Sequence, residues 1–111
     1  MGRVTLLAGD DEVSISGIGF HIGGKHTWQS QFVSAQTRSG GTVVLASDNV
    51  YLYENLDGRK PIAQTLDAES NLRAQDRMRA LASSPKLIVP GHDPAVFERF
   101  PRVSERIVRI E

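Results

Sequence analysis

The chain has 111 residues, 40% apolar and 23% charged, with thirteen basic side chains balanced by thirteen acidic ones. This is the composition of one small folded domain, and the neutral balance argues against a general polyanion binder such as a nucleic-acid protein. There are no cysteines, which excludes disulfide frameworks, thiolate zinc sites and a cysteine nucleophile.

No apolar run approaches the ~18 residues of a membrane span. The first ten residues, Met1 to Asp10, are too soon charged to read as a signal peptide. No membrane partner is expected, and a reducing, cytoplasmic setting is.

Arg3 to Ala8 reads as a short strand, Gly9 to Glu12 as a turn, and Val13 to Ile15 as the return of a hairpin. Ile18 to Ile22 is a further apolar run, ended by Gly23-Gly24, a pair that permits close approach of other groups. A loop with Lys25, His26, Thr27 and Trp28 follows. Gln29 to Thr37 reads as a strand, and Arg38 to Gly41 as a turn. Thr42 to Ala46 is the strongest strand, β-branched and apolar enough to be buried on both faces. It runs into Ser47-Asp48-Asn49. Tyr51 and Tyr53 follow, then a loop from Asp57 to Pro61.

Asp67 to Ala82 is the one clear helix. Asp67 is a natural cap, and Ala68, Leu72, Ala74, Met78, Ala80 and Leu81 offer an apolar stripe. Ser83-Ser84-Pro85 stops it. Lys86 to Val89 reads as a buried strand leading to the turn Pro90-Gly91-His92-Asp93-Pro94. Ala95 to Phe100 forms a helical turn before Pro101. Arg106 to Ile110 alternates like a strand with one wet face. Arg73, Arg77 and Arg79 lie on the helix and read as a solvated face.

One sheet with one main helix makes this an α/β or α+β domain spanning 1–111. One helix covers one face of a sheet, whereas the apolar central strand wants cover on both. A further layer, from another segment or a second copy of the chain, is therefore expected.

His26, Asp48 and His92 each stand just beyond an apolar run. Imidazole nitrogen with carboxylate oxygen is a donor set for a borderline metal such as zinc. Taken singly, each also reads as an ordinary polar loop residue. His21, inside an apolar run, reads as structural. Tyr51 divides evenly between a site residue and a packed aromatic. Trp28 is either a pocket wall or core.

The segments GGKHTWQSQ around His26, GTVVLASDNVYLYENL around Asp48 and LIVPGHDPAVFERFP around His92 resemble the metallo-β-lactamase-fold hydrolases. Within them the resemblance is to the N-acyl homoserine lactonase branch, and it runs from about Val4 to about Val103. It implies an αβ/βα sandwich, of which this chain is the C-terminal half: one mixed sheet, one main helix and a short C-terminal helix. It implies two Zn2+ ions per intact site, with His26 and His92 as terminal ligands and Asp48 as the bridging carboxylate. Tyr51 falls where lactonase-like members place a phenol near the substrate carbonyl.

Two departures stand out. Trp28-Gln29 follow His26-Thr27 where the family has a proline-glycine turn. The HxHxDH signature that supplies most family ligands is absent, since the histidines are His21, His26 and His92 alone. The resemblance thus implies part of a lactone or ester hydrolase, inactive alone, completed by an N-terminal half. The alternative is a self-associating or partner-binding module, such as a homodimer, with a vestigial metal site.

Overall fold

The structure is a computed structural model describing residues 3, 4, 6, 7 and 9–111, with backbone only for 12–15. Five strands form one sheet in the order β1-β2-β3-β4-β5. They are β1 (Glu12–Ile15), β2 (Ile18–Ile22), β3 (Gln31–Gln36), β4 (Thr42–Ser47) and β5 (Ile88–Pro90). The first four are antiparallel neighbours, and β5 joins β4 in parallel. Helices α1 (Tyr53–Asp57) and α2 (Ala68–Leu81) make the crossover between the parallel pair. A short helix α3 (Val96–Arg99) and an exposed hairpin, β6 (Arg102–Ser104) with β7 (Ile107–Val108), complete the chain. No helix among the described residues is long and apolar enough to cross a membrane.

The expected mixed sheet with one main helix is therefore present. Two local expectations are corrected, for the first strand and the last, and one segment left unassigned by the sequence acquires a helix. Arg3, Val4, Leu6 and Leu7 are not in a strand, and Thr5 and Ala8 lie outside the described residues. The hairpin forms instead between β1 and β2, turning at Gly17, whose φ of 81° suits glycine. The segment after Tyr51 closes into α1, stitched by Asn55, whose Oδ1 accepts from the Leu52 N–H at 2.9 Å. The last strand is not one run over 106–110 but the second arm of the small hairpin.

The two faces of the sheet differ. Phe32, Val44, Ala46 and Ile88 point toward the helices and pack with Val50, Tyr53, Leu56, Ala74 and Met78. Helix α2 starts at its expected cap, Asp67 accepting from the Ser70 N–H at 3.2 Å. Its inner face is Asn71, Ala74, Gln75 and Met78, the i, i+3, i+4, i+7 spacing of a core-facing stripe. This differs from the apolar stripe expected: Ala68 and Ala80 are exposed, and two buried amides replace them.

On the other face the register aligns Ile18, Ala35 and Val43, then Phe20, Val33, Leu45 and Val89. Among the described residues no helix lies on this face's Leu45, which is 42% exposed, and Ile22 at the edge is 57% exposed. Burial of the central strand on both faces is thus met at Val43 and Val44 but not at Leu45.

Candidate metal centre

Because β2 and β4 both run antiparallel to β3, and β5 runs parallel to β4, the carboxyl ends of β2, β4 and β5 reach the same edge of the sheet. The three histidine and aspartate loops leave from those ends. Open α/β sheets bind ligands at this edge, outside the carboxyl ends of parallel strands. Ser47 and Pro90 are register partners, so Asp48 and His92 follow almost side by side.

The side chains meet. Asp48 Oδ1 lies 2.7 Å from His92 Nε2, and Asp48 Oδ2 lies 3.6 Å from His26 Nε2. Each carboxylate oxygen therefore faces a different imidazole. The Tyr51 ring stands edge-on to both histidines, with centroids 5.8 Å from His26 and 5.3 Å from His92. The group is open to solvent: the side chains of His26, Asp48 and His92 are 22%, 44% and 61% exposed.

His26 is oriented from behind. Its Nδ1 lies 2.8 Å from the Gln64 carbonyl and 3.1 Å from the Tyr51 hydroxyl. A carbonyl only accepts, so Nδ1 carries the proton and donates; in the neutral imidazole Nε2 then turns its lone pair toward Asp48. Metal-binding histidines are held in this way, by a carbonyl on the far nitrogen. A cation between that lone pair and the carboxylate would satisfy both. Two ligands on one tetrahedral zinc stand about 3.4 Å apart, close to the 3.6 Å between His26 and Asp48. All three donors fit a metal ion in type and the His26–Asp48 pair fits in spacing, whereas His92 Nε2 and Asp48 Oδ1, at 2.7 Å, are hydrogen-bonded to each other. They do not converge on a single ion. Among the described residues, only Asp10, Asp11 and His21 bring three such donor atoms within 4.8 Å of one another.

That second cluster is occupied by the protein itself. Arg77 of α2 binds both Asp10 and Asp11. His21 is buried, with Nδ1 at 2.6 Å from Asp11, Nε2 at 2.9 Å from Ser34, and its ring stacked on Phe32. His21 is structural, as its place in an apolar run suggests.

Several positioning residues escape a sequence reading. Asn49 is fully buried. Its Oδ1 accepts from the Gly24 N–H at 2.8 Å and the Ser30 hydroxyl at 2.7 Å. Its Nδ2 donates to the carbonyls of Gln31 and Ala46, both at 2.9 Å. One amide thereby ties the end of β4 to the His26 loop. Asn71 donates to the Asn49 carbonyl at 2.9 Å and accepts from the Ile62 N–H at 3.1 Å. Gln75 extends the network, donating to Asn71 Oδ1 at 3.1 Å and the Lys60 carbonyl at 2.8 Å.

The paired glycines now have a reason. A Cβ on Gly23 would lie 2.4 Å from Asn49 Oδ1, and one on Gly24 would lie 2.6 Å from the Asn71 Cα. Gly91 is under the same constraint: its Cβ would lie 2.4 Å from the Ser47 carbonyl oxygen. Its N–H donates to the Val50 carbonyl at 2.8 Å, and the His92 N–H donates to the Tyr51 carbonyl at 3.0 Å. Lys25 and Ser47, each immediately before a candidate ligand, hold φ of 58° and 52°, a conformation costly for residues with a Cβ and concentrated at functional sites. Asp93 secures the last loop, accepting from the N–H groups of Tyr53 and Ala95, both at 2.9 Å. Those two bonds hold its carboxyl below the usual range.

Trp28 is 77% exposed, so it is not core. It borders a surface cavity with Leu6, Leu7 and Ile22. The arginines of α2 are engaged locally, Arg73 with Glu69, Arg77 with the Asp10–Asp11 pair and Arg79 with the Leu56 carbonyl.

No protein-family model and no curated protein matches the chain. Solved structures do. One is an N-acyl homoserine lactone hydrolase with the product N-hexanoyl-L-homoserine bound at its catalytic metal centre. It has a TM-score of 0.68 and 23% identity over 80% of this chain and 36% of that one. The chain has the fold of part of a metallo-β-lactamase-type domain. A B. thuringiensis lactonase variant with N-decanoyl-L-homoserine at its active site aligns with the same scores and coverage. A quorum-quenching N-acyl homoserine lactone hydrolase aligns at a TM-score of 0.67, with 23% identity over 80% of this chain and 37% of that one. The chain thus spans little more than a third of the enzymes it matches, and at this identity the likeness is one of fold.

Proposed function

We propose that the chain is the C-terminal part of a metal-dependent hydrolase acting on a lactone or ester, incomplete and inactive alone. The observation that carries this is Asp48, whose two oxygens face two different histidines, as a carboxylate shared between two metal positions does. Zn2+ is the ion proposed, on the chemistry of imidazole and carboxylate donors. Two ions per intact site are proposed on the resemblance to the lactonases. His26, Asp48 and His92 would hold them, and the remaining ligands would come from an N-terminal half carrying HxHxDH. When bound, such ions supply a water activated to hydroxide near neutral pH.

This chain's own residues orient and stabilise. The Gln64 carbonyl fixes the His26 tautomer, and the Tyr51 oxygen shares the Nδ1–H. Since Tyr51 receives the Nδ1–H on its oxygen, its own O–H remains to donate. It is the group proposed to bind the substrate carbonyl oxygen as negative charge develops there. Trp28, exposed beside the His26 loop, is proposed as a wall for the acyl portion.

The second layer has the same origin. The sheet face bearing Ile18, Phe20, Val33 and Leu45 is apolar, and Leu45 and Ile22 are exposed on it. Burial against an N-terminal half would complete the sandwich, and a second copy of the chain could cover the same face. A self-associating module with a vestigial site is accordingly the second reading. A cytoplasmic setting is proposed on the absence of cysteine.

Reconstitution with an N-terminal half bearing HxHxDH tests the proposal. It predicts zinc-dependent hydrolysis of an N-acyl homoserine lactone, abolished by Asp48→Asn. A reconstituted pair that binds no zinc removes the ligand assignments. A monodisperse dimer that excludes the added half favours the second reading.

A further inference from the structure

The contacts that seat His21 in the sheet also set three side chains in a particular order. Asp11 Oδ1 lies 2.6 Å from His21 Nδ1, and His21 Nε2 lies 2.9 Å from Ser34 Oγ. A carboxylate only accepts, so in the neutral imidazole Nδ1 carries the proton and donates to Asp11. Nε2 then accepts from the Ser34 hydroxyl. A nucleophile bonded to a base, with the base oriented by a third group, is the arrangement of an activated serine, and it is recognised by geometry rather than by sequence position. None of the three residues belongs to the metal centre.

The neighbours hold this order in place. His21 stands on β2 and Ser34 on the antiparallel β3. The His21 ring stacks on Phe32 with centroids 4.9 Å apart, which fixes its plane. Arg77 binds the Asp11 oxygen that faces His21, and binds Asp10 as well. Asp10 accepts from the Ile22 N–H at 2.8 Å, so the loop is pinned to the end of β2.

The group adjoins an open surface cavity of about 350 Å³, lined by Asp11, Gly17, Gly19, His21, Ser34 and Gln36 among others. Ser34 and His21 are only 8% and 5% exposed, so this cavity is their route to a ligand. Gly19, the register partner of Ser34, keeps it open. A Cβ at Gly19 would lie 2.6 Å from Ser34 Oγ and 3.1 Å from His21 Nε2. Gly19 has no positive φ, so the space, not the backbone angle, calls for glycine. Glycine inside a strand often marks the close approach of a ligand. The vacated space touches both nucleophile and base, where a reacting carbonyl has to sit. Gln36, two residues along β3 and therefore on the same face as Ser34, offers a donor. One Nε2 hydrogen goes to Thr42 Oγ1 at 2.9 Å, and the other is left for an oxyanion.

We propose that Asp11, His21 and Ser34 form a second, metal-independent site that takes the acyl group from a small activated ester. Ser34 Oγ bonds to the ester carbonyl carbon as its proton passes to His21 Nε2. Gln36 donates to the oxyanion that forms. The carbon–oxygen bond to the alcohol then breaks, and the alcohol leaves with the proton from Nε2. Water repeats the sequence on the acyl-serine, its proton passing through Nε2 to Ser34 as the carboxylic acid departs. Ester and water are the only reactants consumed. Asp11 is a positioning residue, holding the proton on Nδ1.

The test uses the full chain, freed of metal by chelator and desalted, so its result stands apart from that of the metal-dependent proposal. The probe is p-nitrophenyl acetate. Release of p-nitrophenolate is followed by absorbance, and the acetylated residue is located by peptide mass spectrometry. Acetyl-Ser34 should form, at the same rate with and without chelator. Gln36→Ala should slow its formation about a hundredfold. Asp11→Asn should slow it at least about a hundredfold and move the His21 ring proton to Nε2, read from the ring nitrogen chemical shifts. Asp11→Glu, which keeps the carboxylate, should recover much of the rate. Asp11 and Gln36 are exposed, so these variants should fold. Absence of acetyl-Ser34 in the native chain overturns the proposal, as does its formation at an equal rate in Asp11→Asn.

Discussion

Asn49→Ala is the substitution that bears most on how the site is held. The amide makes four hydrogen bonds, to the Gly24 N–H, the Ser30 hydroxyl and the carbonyls of Gln31 and Ala46. Two of them, to Gly24 and Ala46, are fully buried. Leaving a buried donor or acceptor unpaired costs about 1–3 kcal/mol. The partly buried pair can rehydrate at a cost of about 0.5 kcal/mol each. At the middle of those ranges the sum is a loss of about 5 kcal/mol, or roughly 20 °C in Tm for a domain of this size. Urea unfolding followed by circular dichroism measures it. The His26 loop should also lose its tie to β4, which shows as shifted amide resonances at Gly24 and Lys25 while β1 is unmoved. A loss below about 1 kcal/mol would refute the claim that this amide holds the loops together, because so small a value is what a solvated turn asparagine costs.

Three further outcomes are expected. Gly91→Ala forces a methyl against the Ser47 carbonyl, 2.4 Å from where it would sit. It should cost about 2–3 kcal/mol by overpacking and weaken zinc binding by separating Asp48 from His92, read by melting with and without zinc. Lys25→Gly relieves a positive φ of 58°. The strain of about 1–2 kcal/mol outweighs the roughly 0.4–1 kcal/mol of added unfolded-state entropy, so urea unfolding should show a small gain. Arg59 binds Asp76 with two N–H groups at 2.9 and 2.7 Å and thereby lowers its carboxyl. The stability this pair contributes is present above the ordinary carboxylate range and lost as pH falls through the folded-state midpoint; in Arg59→Gln that midpoint, followed by NMR, should rise.

How far the sequence announces this molecule depends on the range of the interaction. The strands β2 to β4 and helix α2 are written locally, in β-branched runs and in the Asp67 cap. The His26, Asp48 and His92 motifs are visible because each follows an apolar run, and the topology then turns three loops to one edge. What holds them is not visible. Asn49 reads as a turn residue beside Asp48, and its burial depends on Gly23 and Gly24 approaching from 25 residues away. Asn71 and Gln75, four apart on α2, are polar residues on the buried face. Their spacing marks them as neighbours, but only the tertiary structure shows that the inner stripe runs through them rather than through Ala68 and Ala80. At Arg3, Val4, Leu6 and Leu7, the described residues of the expected first strand, local β propensity is met by no partner among the described strands. Gly17, with its positive φ, places the hairpin one turn later.

The central claim is that His26, Asp48 and His92 form the metal-binding part of the molecule. The most direct measurement is zinc content and melting temperature, with and without added zinc, for the native chain and for His92→Ala. The native chain should bind added zinc weakly and gain stability saturably as zinc is added, and His92→Ala should lose both responses while keeping its metal-free stability within about 0.5 kcal/mol of the native value, as an exposed side chain does. Equal zinc content and equal zinc-dependent stabilisation in the two proteins, or no response in either, would contradict the claim.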